Sequence, residues 1–314
     1  MKRIFLFLVL NFAVMIALMV AFHIVCALLG IDPNAAFATS GGLDLKAVAL
    51  FSLVWGMAGG FISLLLSKPM AKWSVGARTI DGTEGEAERW LVETVRSLAA
   101  RANVQMPEVA IYHGSANAFA TGAFKNHALV AVSDSIMAQM TREELRAVLG
   151  HEISHVANGD MVTMTLLQGV LNACVLFLSR VVAYLATNAM AGRDGGGERR
   201  RGSSGLYYLV YYVLQILLGL VASLIAMWYS RHREFAADAG SARLLGTPSS
   251  MIAALRRLGN LQPGVLPDSV KAFGINGQHA SIFSTHPSLE DRIAALERLQ
   301  RKLMEVSCFR GTTR

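Results

Sequence analysis

His151, Glu152 and His155 stand in the pattern H-E-x-x-H, within His151-Glu152-Ile153-Ser154-His155. On an α-helix, residues four apart lie nearly one above the other, so two imidazoles at this spacing can meet one divalent cation. Glu152 projects beside them, close enough to reach a water on that cation. The same five residues also arise by chance on unrelated surface helices, so a third ligand decides what they mean. Glu234 offers one, in Arg231-His232-Arg233-Glu234-Phe235-Ala236-Ala237-Asp238. It completes a set of two histidines and one glutamate with a fourth position open for water. Asp238, four residues on and on the same helical face, can hold the second ring nitrogen of a ligating histidine and so fix its tautomer and orientation. The plainer reading of Glu234 and Asp238 is a solvated face beside Arg231 and Arg233. The chemistry that the full set can do is metal-assisted hydrolysis with one Zn²⁺ per chain. Zinc lowers the pKa of a water to about 7, and Glu152 takes the proton as general base and passes it to the leaving amine.

Positioning these groups takes well-defined elements. Thr141-Arg142-Glu143-Glu144 reads as a capping box, with Thr141 as N-cap. Leu145, Val148, Leu149 and Ile153 follow at helical spacing, and Gly159 is a plausible stop. Upstream, Trp90, Leu91, Val95, Leu98 and Ala102 give an amphipathic helix over 84–102. The runs 109–112, 117–122 and 128–132, punctuated by Gly114 and Gly122, predict a small sheet joined by hairpins. Asn117, Ala118, Phe119, Ala120 and Thr121 form either an ordinary hairpin strand or an edge strand that binds an extended peptide through main-chain hydrogen bonds. Downstream, Thr247-Pro248 opens a helix ending near Gly259. A long loop follows over 262–284, with room to move over a cleft.

The rest of the chain is apolar. Of 314 residues, 53% are hydrophobic and 16% charged, too apolar for an ordinary soluble protein. The run 4–29 is too long for the core of a signal peptide and long enough to span a bilayer, which takes about 20 residues. A second run, 45–66, carries Gly56, Gly59 and Gly60, which permit close helix packing. The loop 31–44 between them holds no Lys or Arg, whereas Lys2, Arg3, Lys68, Lys72 and Arg78 flank the pair. The positive-inside rule then puts both ends of this hairpin in the cytoplasm. Two further runs, 161–190 and 206–229, enclose an arginine-rich linker, 192–205. If both cross the bilayer, Arg193, Arg199, Arg200 and Arg201 land outside, against that rule; if neither does, the runs form a hairpin at the cytoplasmic side. The residues after 230 share a compartment with His151 in both cases. The net charge of +7 suits anionic lipid, and no nucleic-acid motif or aromatic-basic interleaving is present. Cys26, Cys174 and Cys308 form no C-x-x-C pair, which argues against a disulfide framework and a cysteine zinc site.

The ligand pattern, the helix bearing Glu234 and Asp238 and the four hydrophobic runs resemble the HtpX-type bacterial membrane metalloproteases, gluzincins related to the membrane prenyl-protein proteases. The resemblance covers nearly the whole chain up to Arg292. It implies an α+β, mainly helical, multi-pass membrane protein with a gluzincin-like zinc protease domain carrying a small β-sheet. The expected parts are a transmembrane hairpin (1–67), a first catalytic part (68–160), a second hydrophobic hairpin (161–230) and a second catalytic part (231–314). It also implies an inner-membrane quality-control protease that cleaves misfolded or damaged membrane proteins at the cytoplasmic face. Asn117 to Gly122 is similar to the family's substrate-side strand. Thr285 to Ile293 resembles its C-terminal signature, which makes His286 and Arg292 candidates to stabilise an oxyanion. Without the family, that stretch reads as a helix start, with Pro287 and Asp291 in its first turn. The rival readings are a catalytically silent zinc scaffold for membrane assembly, a prenyl-protein-type processing protease, and a transporter. The last should show a path of intramembrane charges, and His23 and Arg180 alone qualify.

Overall fold

A computed structural model describes residues 2–37, 43–191, 203–260 and 286–311. Most of the arginine-rich linker and the whole loop expected over 262–284 lie outside the described residues. In chain order the elements are α1 (Lys2–Leu29), α2 (Leu45–Val75), β1 (Arg78–Ile80), α3 (Glu86–Arg101), β2 (Glu108–Tyr112), β3 (Ala118–Thr121), β4 (Leu129–Ser133), α4 (Asp134–Gln139), α5 (Arg142–Asn158), α6 (Asp160–Ala191), α7 (Ser203–Leu245), α8 (Ser249–Asn260) and α9 (Leu289–Gly311). They divide into two compact units, Met1–Ile62 with Thr165–Leu224 and Ser63–Met164 with Ile225–Arg314.

The first unit is built from apolar helices. Among the described residues α2, α6 and α7 are long and apolar enough to cross a membrane, with mean hydropathies of 2.0, 1.9 and 2.3 in their most apolar stretches. Each is a single helix that continues past its apolar run: α2 passes through Pro69, and α7 carries on to Leu245. Gly56 allows α2 and α6 to touch, because a Cβ there would lie 2.6 Å from the Cα of Ala173. Gly60 packs against Thr165 in the same way, whereas a Cβ on Gly59 would meet open space. Arg180, a cation in an apolar helix, is held by aromatic faces. Its guanidinium lies 4.3 Å from the Phe51 ring, 5.0 Å from Phe37 and 5.5 Å from Tyr211, and it donates to the carbonyl of Ala36 at 3.1 Å.

The second unit packs helices on a four-stranded sheet of order β1-β2-β4-β3. The hairpin expectation fails here. β2 pairs with β4 in parallel, Val109 opposite Val130 and Ile111 opposite Val132, and β3 lies antiparallel on the far side of β4. Consecutive strands β2 and β3 are therefore not neighbours, and β3 is an edge. β1, three residues long, closes the opposite edge antiparallel to β2. One sheet face and the apolar stripes of α3, α5, α8 and α9 enclose the main core, through Leu91, Leu98, Ile136, Leu149, Ile153, Met251 and Leu255. The other face buries Tyr112, Phe119 and Leu129 under Ala71 of α2.

Candidate metal centre

The helix α5 starts and stops as its sequence dictates. Thr141 Oγ1 accepts from the Glu144 N–H at 3.3 Å and the Thr141 N–H donates to the Glu144 carboxylate at 2.9 Å, closing the capping box. At the other end Gly159 sits in the left-handed region, φ 69°, where a side chain would be strained. Between these caps every residue from Ala147 to Val156 is buried. Helix α7 lies directly against α5 through small residues. Gly240 faces Ser154, Gly150 faces Ser241, and the Ser241 hydroxyl donates to the Ala147 carbonyl at 2.7 Å.

This close crossing brings His151, His155 and Glu234 together, their ligand atoms all within 4.8 Å of one another and all buried. The two Nε2 atoms are 3.0 Å apart, and each lies 3.5 Å from an oxygen of Glu234. Tetrahedral ligation with metal–nitrogen bonds of about 2.0 Å places neighbouring donors about 3.3 Å apart. The outer nitrogens are spoken for: His151 Nδ1 faces Asp238 Oδ1 at 2.9 Å, and His155 Nδ1 faces Asp160 Oδ2 at 2.6 Å. A neutral imidazole that donates from Nδ1 presents a lone pair at Nε2. Two lone pairs and a carboxylate then converge on one buried point, which demands positive charge. The same demand acts on the ring protons. Burial pulls both imidazoles down, yet bonds to Asp238 and Glu234 carry His151 above its usual range, and Asp160 and Glu234 carry His155 up to about 10. The donor set fits a divalent metal.

Glu152 is 2% exposed, and burial pushes its carboxyl up, with His151 and His155 pulling the other way. The backbone of Ala120 on β3 also holds this carboxyl down. Arg292 on α9 is fully buried and grips Asp238 with both ends of a fork, Nε to Oδ2 at 2.8 Å and Nη2 to Oδ1 at 2.7 Å. Its Nη1 lies 3.6 Å from Glu234. His286 reaches the same carboxylate, Nδ1 to Oε2 at 3.1 Å. Of the substrate-side residues, Ala118 to Thr121 form β3, and Asn117 exchanges bonds with Ser133 at its start. Main-chain groups alternate along an antiparallel strand, so Ala118 and Ala120 turn theirs away from β4, toward the edge that no strand among the described residues covers.

One participant escaped the sequence reading. Asp160, taken as a domain boundary, holds His155. Its signal was position, an aspartate directly after the glycine that ends α5.

The model of peptidase family M48 matches residues 86–300. A protein of Verminephrobacter eiseniae named protease HtpX homolog is 55% identical over 297 residues, 95% of this chain and 98% of that protein. One of the same name from Janthinobacterium is 53% identical over 96% of this chain and all of its own length. A Bordetella pertussis relative, also so named, is 52% identical over 95% of this chain. Among solved structures, S. mikatae Ste24p superposes with a TM-score of 0.57 at 18% identity, covering 94% of this chain and 65% of its own. That likeness concerns the fold alone.

Proposed function

From the premise that this chain belongs to peptidase family M48 and is a membrane metallopeptidase, we propose that it is a zinc-dependent endopeptidase of the bacterial inner membrane. It cleaves misfolded or damaged membrane proteins at the cytoplasmic face. The observation that carries the site assignment is the convergence of both Nε2 lone pairs and the Glu234 carboxylate on one buried point.

His151, His155 and Glu234 would hold one Zn²⁺. When bound, the ion supplies Lewis-acid chemistry, polarising a carbonyl and acidifying water. Glu152 does the proton work. Its carboxylate takes a proton from the attacking water and returns it to the departing amine. Burial keeps this carboxyl above the usual range of glutamates, which suits a base that must also become an acid. His286 and the Nη1 of Arg292, the arm not engaged with Asp238, are the donors for the developing oxyanion. An extended substrate pairs with β3, using the edge that Ala118 and Ala120 present.

The orientation rests on charge. Lys2, Arg3, Lys68 and Lys72 flank the first hairpin, and the loop inside it lacks Lys and Arg. The decisive experiment measures zinc content and cleavage of an unfolded test protein by the detergent-solubilised chain. Glu152→Gln should keep zinc and lose cleavage, and Glu234→Ala should lose both. Zinc retained in Glu234→Ala at the wild-type level would overturn the ligand assignment. Cleavage by Glu152→Gln at the wild-type rate would overturn the base.

A further inference from the structure

We infer that Asp160 and Arg233 form the positioning pair for His155 and set how tightly the site holds its metal ion. The inference rests on the metal reading of His151, His155 and Glu234. Each histidine has a carboxylate behind it, and each carboxylate has an arginine. Behind His151 stand Asp238 and Arg292. Behind His155 stands Asp160, its Oδ2 2.6 Å from Nδ1 and its side chain 8% exposed. Arg233 donates from Nη1 to the Asp160 carbonyl at 2.9 Å, and its Nε lies 3.8 Å from Oδ2.

The arrangement needs a break in the helix. Along an unbroken helix a residue five positions on points about 140° away from His155. The left-handed turn at Gly159 ends α5 and starts α6 at once, which brings the first residue of α6 back over the ring. On α7, Arg233 immediately precedes Glu234. One position supplies a ligand and its neighbour, about 100° round the helix, braces the group behind another ligand. Asp160 thus fixes the His155 tautomer with Nε2 bare and adds negative charge behind the ring, while Arg233 keeps the carboxylate in place.

A purely structural role is the competing account. An acid in the first turn of a helix favours the helix dipole and caps its free N–H groups. Serine caps as well as aspartate but cannot serve His155 as a carboxylate. The test therefore uses the full chain in detergent, with Zn²⁺ affinity read by competition against a chromophoric chelator. The visible absorption of Co²⁺ reports ligand geometry. Thermal unfolding of the metal-free protein checks folding. Asp160→Asn and Asp160→Ser should each weaken Zn²⁺ binding about 10- to 100-fold and change the Co²⁺ spectrum. Arg233→Gln should weaken it by up to about 10-fold, and it remains informative if the Asp160 variants fail to fold. Wild-type affinity and spectrum in a folded Asp160→Ser, or in Arg233→Gln should the former not fold, would overturn the inference. His155→Ala separates the two layers. Undiminished Zn²⁺ binding in that variant would mean that the metal reading itself has failed.

Discussion

Replacing Gly240 by alanine should disable the site without altering any of its ligands. A Cβ at Gly240 would lie 2.4 Å from Ser154 Oγ and 2.7 Å from Ser154 Cβ. Carbon atoms pack no closer than about 3.5 Å, so the helices must part by roughly 1 Å. Ser154 cannot swing aside cheaply, because its hydroxyl donates to the Gly150 carbonyl at 2.7 Å and its Cβ is fixed to the backbone. The cost of such overpacking is about 1–3 kcal/mol of stability. The functional effect is larger. Ser154 lies between His151 and His155, and Gly240 shares α7 with Glu234, so the displacement opens the gap between ligands that now stand 3.5 Å apart. A misplacement of about 1 Å typically lowers turnover by about 100-fold. The assay is zinc content with cleavage of an unfolded protein, alongside thermal unfolding. Gly240→Ala should lose most of its zinc and about 100-fold in kcat/KM. Adding Ser154→Gly removes both obstructing atoms and should restore most of the loss, less about 1 kcal/mol for glycine inside a helix. Wild-type zinc and cleavage in the single variant, or no recovery in the double one, would refute the reasoning.

Other expectations follow from the same geometry. Glu152→Gln should lower hydrolysis by at least about 100-fold with zinc content unchanged, measured by metal analysis and single-turnover cleavage. Arg292→Leu leaves Asp238 and Glu234 buried without their cation and should cost about 3–5 kcal/mol, seen as a large drop in unfolding temperature. Arg292→Lys should rescue little of this, because a single ammonium cannot reproduce the two-armed grip on Asp238. Removing the metal with a chelator should abolish cleavage and lower the unfolding temperature, and added Zn²⁺ should restore both. A chelator-treated protein that melts at the wild-type temperature would contradict the account of a buried donor set that demands positive charge.

Much of the centre was legible because it depends on local spacing. The capping box, the i, i+4 pairs and the stop at Gly159 are all written within single helices. The sheet was harder to read. Hairpin logic assumes that consecutive strands pair, and it has no means to see β4 slipping between β2 and β3. β1 is only three residues long, too short for alternation to register. The continuity of α7 was also hidden, because polarity changes abruptly after Tyr229 while the backbone carries on as helix. Asp160 was hard to read for a related reason. Its partner depends on a backbone reversal at Gly159, and no periodicity counts across a break.

The parts of the centre are scattered along the polypeptide. His151, Glu152 and His155 come before α6 and α7, Glu234 and Asp238 lie near the far end of α7, and Arg292 lies on α9. A ribosome that has made only the first 230 residues has therefore produced the base and two ligands but no site. The site completes itself only after all the apolar runs have been synthesised. A copy stalled before Glu234 therefore lacks the full ligand set.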